Sequence, residues 1–148
     1  MAEDSLFEEA KKLLGVESEP ITYDVEKGHI QRFAEAIEDP NPLWQDEAEA
    51  SRTPYGGVVA PPTFARAFLD RSEDDSLSSA ARVLDGGSQW EYYGPVKVGD
   101  RITVTSKLAD LFQKEGRLGT MTFHIREITF TNQNGEVVVK RRDTSITY

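Results

Sequence analysis

Apolar residues recur with a helical period through the first half of the chain. Leu6, Ala10, Leu13 and Leu14 fall on one face of a helix, Ser5 followed three residues later by Glu8 has the form of a capping box, and Gly15 is placed to end the element. Ile21, Tyr23 and Val25 alternate with Thr22 and Asp24, which predicts a brief strand. Ile30, Phe33, Ala34 and Ile37, spaced i, i+3, i+4, i+7, predict a second helix that Gly28 weakens without forbidding. Pro40 and Pro42 stop it, because neither offers an N–H and each restricts the residue before it, so Asp39-Pro40-Asn41-Pro42-Leu43-Trp44 reads as an irregular overhang. Asp46 to Arg52 has room for one or two helical turns, broken by Tyr55-Gly56-Gly57. A third helix is predicted to start at Pro61-Pro62 and continue through Thr63, Phe64, Ala65, Ala67, Phe68 and Leu69. With only Arg66 clearly polar before Asp70, this helix is apolar on more than one side and belongs inside the molecule; the charged stretch from Asp70 to Ser79 is its exit loop.

From Arg82 onward the period falls to about two. β-branched and aromatic residues run between turn signals at Gly94-Pro95, Gly99-Asp100, Glu115-Gly116, Gly119 and Asn134-Gly135, the pattern of antiparallel sheet. Met121, Phe123 and Ile125 share one parity and Ile128 and Phe130 the other, so a β-bulge is expected near Arg126-Glu127. No repeat, linker or low-complexity tract divides the chain. A buried helix followed by long curved hairpins implies an α+β fold, one domain over residues 1–148, with the sheet wrapped around the helix.

Composition narrows the chemistry. The length suits one ordinary core. A formal charge of −9 would repel a phosphate backbone over most of the surface, which disfavours sequence-independent nucleic-acid binding. No apolar run approaches the ~20 residues of a membrane span, and the acidic amino terminus lacks a signal-peptide core, so a cytoplasmic protein is expected. The absence of cysteine removes disulfides, thiolate nucleophiles and most structural zinc patterns, leaving His29 and His124 as the imidazoles. His29 sits beside an apolar stripe with no acidic partner at ligand spacing, so no metal site and no cofactor are expected. His124 shares a strand face with Thr122 and reads as a solvated side chain. Lys140-Arg141-Arg142 is the dense basic cluster; alternate residues of a strand face opposite ways, so it serves either anionic ligands or a solvated edge.

Three blocks, in order, carry a family resemblance: Phe33 to Trp44 (FAEAIEDPNPLW), Gly56 to Phe64 (GGVVAPPTF), and Gly86 to Val96 (GGSQWEYYGPV) running into Val98-Gly99-Asp100. Together they resemble the MaoC-like hot-dog dehydratases, in particular the amino-terminal, FAS1-like dehydratase branch. The resemblance implies a hot-dog fold with the Pro61 helix as the sausage, paired with a second hot-dog chain as a homo- or heterodimer across a continued sheet. It implies an acyl thioester ligand, on coenzyme A or an acyl carrier protein, hydrated or dehydrated at the 2,3-position. Active members read D-x-N-P-L-H in the overhang, where aspartate and histidine handle the water and the α-proton. A glycine N–H at the start of the sausage helix polarises the thioester carbonyl.

This chain departs from that pattern twice. The histidine position holds Trp44, whose indole donates one hydrogen bond and accepts no proton at working pH. Where active members read H-G-M, the chain has Ala60-Pro61-Pro62, and proline has no N–H to offer an oxyanion. Asp39 is then the one candidate catalytic group, and an aspartate before Asn-Pro is equally placed for an Asx-turn. Asn41, Trp44, Gly57, Pro61 and Thr63 are the candidate substrate-binding residues, with Trp44 either walling an acyl tunnel or capping the core. Trp90, with Tyr92 on the same face, suits core or dimer packing. The expected function is a substrate-holding, non-catalytic subunit of a (3R)-hydroxyacyl-thioester dehydratase or enoyl-CoA hydratase. The alternatives are a self-sufficient homodimeric hydratase using Asp39, a hot-dog thioesterase, and an acyl-thioester binding module without catalysis.

Overall fold

The computed structural model describes residues 2–68 and 82–148, with residues 2–4 described in backbone only. The expectations for Leu69 and for the loop from Asp70 to Ser79 fall outside the described residues. Helix α1 spans Ala2–Lys11, strand β1 Ile21–Asp24, helix α2 Lys27–Ala36, and two short helices follow, α3 Pro42–Gln45 and α4 Glu47–Ser51. A 3-10 helix covers Pro62–Ala67, and four long strands complete the chain: β2 Val83–Tyr92, β3 Arg101–Gly116, β4 Gly119–Thr131 and β5 Val137–Thr147. They form one antiparallel sheet in the order β1-β3-β4-β5-β2.

Four local expectations need correction. Ser5 does not cap α1, because the helix already begins at Ala2; Glu8 instead pairs with Lys11 one turn on, at 2.8 Å. The overhang is partly helical: Pro42 occupies the first turn of α3, where a missing N–H costs nothing, and the Asn41 side chain caps that turn. The third helix is a six-residue 3-10 helix. Pro62 forces Pro61 into extended geometry (φ −54°, ψ 152°), and both the Phe64 N–H and the Phe68 N–H bond three residues back, to Pro61 and Ala65. Finally, no bulge interrupts β4. Met121, Phe123 and Ile125 lie on the outer sheet face while His124, Ile128 and Phe130 lie on the inner, buried face, so the two parities are two faces of one regular strand. The extra residues stand on its neighbours, at Ala109 of β3, Val138 of β5 and Gly86 of β2.

The core lies between the inner sheet face and the helices. Ile102 and Val104 of β3, Ile128 and Phe130 of β4, and Val139 of β5 meet Ile30 and Ala34 of α2 and Phe64, Ala65 and Phe68 of the 3-10 segment. Phe64 is its centre, edge-on to Phe33, Phe68 and the His29 ring at 5.5, 5.2 and 4.9 Å. Tyr23 stacks on Phe68 at 5.0 Å, so β1 is tied to the same aromatic cluster. A smaller cluster of Ala10, Leu108 and Leu111 seats α1 on the far end of the sheet.

Candidate functional site

The overhang is built from backbone caps. Helix α2 ends in a Schellman motif: the Asp39 N–H bonds the Ala34 carbonyl (2.9 Å), the Glu38 N–H bonds Glu35 (3.0 Å), and Glu38 takes the left-handed conformation at φ 54°. The half-buried Asp39 then turns back on the chain, its Oδ1 accepting the Asn41 N–H at 3.0 Å and its carbonyl accepting Gln45 Nε2 at 2.7 Å. Asn41 Oδ1 accepts the Leu43 N–H at 3.0 Å. These bonds direct Trp44 inward, where it is 8% exposed and part of the core.

Trp44 also walls an apolar cavity of about 470 Å³, within the ~300–1,000 Å³ range of small-molecule sites. Leu43, Val59, Phe64, Ala65, Val96 and Val139 line it, and Pro61 and Pro62 close one side. Tyr55, Tyr92 and Tyr93, all exposed, stand at its rim beside Gly94-Pro95. Of the five expected substrate-binding residues the structure brings Trp44 and Pro61 to this wall. Asn41 and Thr63, together with Asp39 and Gly57, lie off it, Thr63 exposed and Gly57 half-buried.

The described lining holds no carboxylate and no imidazole; its titratable groups are the three tyrosines. Burial pushes the Tyr92 phenol up, and the bond that the Tyr93 hydroxyl donates to Glu91 pushes Tyr93 up, so both stay neutral near pH 7 and neither is a working base. Donors for a developing oxyanion are equally scarce over residues 59–62. The Val59 N–H is held by the Leu43 carbonyl (3.1 Å), the Ala60 N–H by Val96 (2.8 Å), and Pro61 and Pro62 have none.

The remaining candidates lie elsewhere. His124 is 3% exposed rather than solvated, because its strand position falls on the inner face opposite Leu111; its Nε2 is 3.2 Å from Thr147 Oγ1. The basic cluster splits by face. Arg141 turns inward, over the Trp90 and Phe130 rings at 5.4 and 5.8 Å, and binds Asp143 through Nε at 2.9 Å. Lys140 and Arg142 face outward, Arg142 3.9 Å from Glu127. Trp90 stacks on Tyr92 at 6.1 Å and packs against the core. The part of the site that spacing does not reveal is the contribution of Val139 and of Tyr92 to Val96, which only the β5–β2 pairing carries to the cavity. Among the described residues no group of His, Cys, Asp or Glu could hold a metal ion, and no helix is long and apolar enough to cross a membrane.

An antiparallel sheet laid over a short buried helix, with an apolar cavity opening beside that helix, is the hot-dog architecture. Within it, the chain belongs to the FAS1-like dehydratase domain family, whose FAS1-like, dehydratase domain region matches residues 12–141. It is similar to a UPF0336 protein of Streptomyces avermitilis, 38% identical over 95 residues, which is 60% of this chain and 63% of that protein. The matches to the first four curated relatives span 61% to 64% of their lengths. Two solved structures share the fold at 21% identity: the ChsH1-ChsH2 complex of Mycobacterium tuberculosis (TM-score 0.80, 99% of this chain and 96% of that one) and the C-terminally truncated HadBC (3R-hydroxyacyl-ACP dehydratase) complex of the same organism (TM-score 0.73, 90% and 96%). At that identity the likeness is one of fold.

Proposed function

We propose that this chain is the substrate-holding, non-catalytic subunit of a two-chain (3R)-hydroxyacyl-thioester dehydratase or enoyl-thioester hydratase. Its cavity takes the acyl chain, and a partner hot dog supplies the aspartate, the histidine and the glycine N–H. The observation that carries the reading is an apolar cavity whose described walls hold no carboxylate and no imidazole, only three tyrosines as titratable groups, beside a segment, 59–62, with no free N–H. The reading is further supported by the names of the two fold neighbours, both complexes and one a 3R-hydroxyacyl-ACP dehydratase.

The test needs the chain and a partner. The purified chain should bind a long-chain enoyl-CoA and leave it unhydrated. Co-expression with the product of an adjacent reading frame carrying D-x-N-P-L-H should give hydration that neither chain shows alone and that disappears when the partner's histidine is replaced. Robust hydration by this chain alone, abolished by Asp39→Asn with folding intact, would overturn the proposal in favour of a self-sufficient hydratase.

A further inference from the structure

Among the described residues three buried side-chain atoms lack a hydrogen-bond partner: Trp44 Nε1, Arg141 Nη1 and Asp143 Oδ1. The last two belong to the ion pair on the inner sheet face, and neither residue lies in the described lining of the cavity. Trp44 does. It is 8% exposed, against 42% to 58% for the three rim tyrosines, so the indole stands at the inner part of the cavity and not at its mouth. An N–H held away from water without an acceptor lowers stability, and a purely apolar side chain could wall the cavity without that cost.

The groups around the indole leave it without a rival. Leu43, Val59, Phe64, Ala65, Val96 and Val139 present apolar side chains. The N–H groups of Val59, Ala60 and Phe64 are held by the carbonyls of Leu43, Val96 and Pro61, and the Tyr93 hydroxyl is engaged by Glu91. A ketone or hydroxyl entering such walls would lose its water and, apart from the indole, find little to bond. We propose that the Trp44 N–H is a specificity-determining donor of this cavity, held for an acceptor oxygen carried on the acyl chain itself, as a ketone, hydroxyl or ether. The N–H lies beneath the cavity surface, and a small turn of the indole about its side-chain bonds brings it to that oxygen. A plain hydrocarbon tail leaves the donor unpaired; an oxygenated tail pairs it. Such a preference rests on the acyl-binding reading above and names the class of chain within it.

The experiment titrates the full chain with dodecanoyl-CoA and with oxododecanoyl-CoAs that carry one ketone at successive mid-chain carbons. At one position the ketone should bind at least about fivefold more tightly than the plain chain, the worth of one net hydrogen bond. In Trp44→Phe, checked for folding by circular dichroism, the ratio should fall to one or below, because the ketone then enters apolar walls without a donor. A second measurement needs no variant at that position. The chain has two tryptophans, so its indole N–H spectrum holds two signals, and Trp90→Phe tells them apart. The matching ketone should move the Trp44 signal downfield, and dodecanoyl-CoA should not. A preference that survives Trp44→Phe, or one that leaves the Trp44 signal unmoved, overturns the proposal. Equal binding of all the thioesters overturns the donor role and leaves the acyl-binding reading standing, whereas binding of none overturns both.

Discussion

The Asp39 carboxylate accepts the Asn41 N–H at 3.0 Å, and Asp39 lies outside the described lining of the apolar cavity. A group so placed closes the turn between α2 and α3. Asp39→Ala should lower stability by about 1 kcal/mol through loss of that bond, while Asp39→Asn, which keeps an acceptor oxygen, should change it by less than about 0.5 kcal/mol. Urea unfolding measures both. In the proposed two-chain enzyme neither variant should reduce kcat more than about threefold; a hundredfold loss in Asp39→Asn at unchanged stability would make the carboxylate a catalytic group.

Glu38 adopts φ 54° at the end of α2, a place where glycine is the usual occupant because a Cβ strains the left-handed conformation. Its N–H is bound to Glu35 and its side chain is exposed, so replacement disturbs no packing. Glu38→Gly should raise stability by about 1 kcal/mol, less whatever the more flexible unfolded chain takes back. An unchanged or lower urea midpoint would show that the strain is relieved elsewhere.

The layout of the fold was legible where period and punctuation agree: β1 at Ile21–Asp24, α2 with Ile30 and Ala34 inward, and the hairpins between Gly and Asn-Gly signals. It was obscured where one residue belongs to two patterns. The parity change between Ile125 and Ile128 looks like a bulge in one strand, yet both faces of β4 carry apolar side chains, and the bulge sits at Ala109 on its neighbour. The helix at Pro61 has helical spacing of Phe64 and Phe68, but paired prolines remove the donors an α-helix would use at its start. In the site, Trp44 and Pro61, standing where the resemblance has histidine and glycine, were visible as substitutions. The opposite wall was not, because Tyr92 and Val139 reach it through strand pairing across distant sequence. His124 was misread because a lone imidazole between apolar neighbours gives no sign of which face the other strands cover.

Trp44 has a packing role and no acid–base function. It is buried, it walls the cavity, and its Nε1 has no hydrogen-bond partner among the described residues. Trp44→Ala should cost about 3–5 kcal/mol and weaken acyl-CoA binding, whereas Trp44→Phe, which removes only the unpaired N–H and part of the ring, should cost about 1 kcal/mol. Trp44→His restores the family's imidazole without a carboxylate in the described lining or a free N–H over 59–62, so the isolated chain should stay inactive on enoyl-CoA. Hydration by Trp44→His alone would show that the rest of the machinery is present in this chain.

The Arg141–Asp143 pair offers a test of how the inner face tolerates charge. Arg141 is 6% exposed, stacked on Trp90 and Phe130, with its Nε on Asp143 at 2.9 Å; Arg66 reaches the same carboxylate oxygen at 3.4 Å. Arg141 Nη1 and Asp143 Oδ1 have no partner among the described residues, so the pair is desolvated without being fully hydrogen-bonded. Breaking such a pair is costly because it strands the other charge, while replacing both partners by apolar groups is often neutral. Arg141→Leu should therefore destabilise the chain by about 3 kcal/mol, the remaining Arg66 contact keeping the loss at the lower end of that class. Adding Asp143→Leu should recover at least about half of the loss, since it removes the stranded carboxylate. A double-mutant cycle by urea unfolding measures the coupling. If the double variant is as unstable as the sum of the single changes, the two side chains act independently, and the loss in Arg141→Leu belongs to the rings beneath the guanidinium.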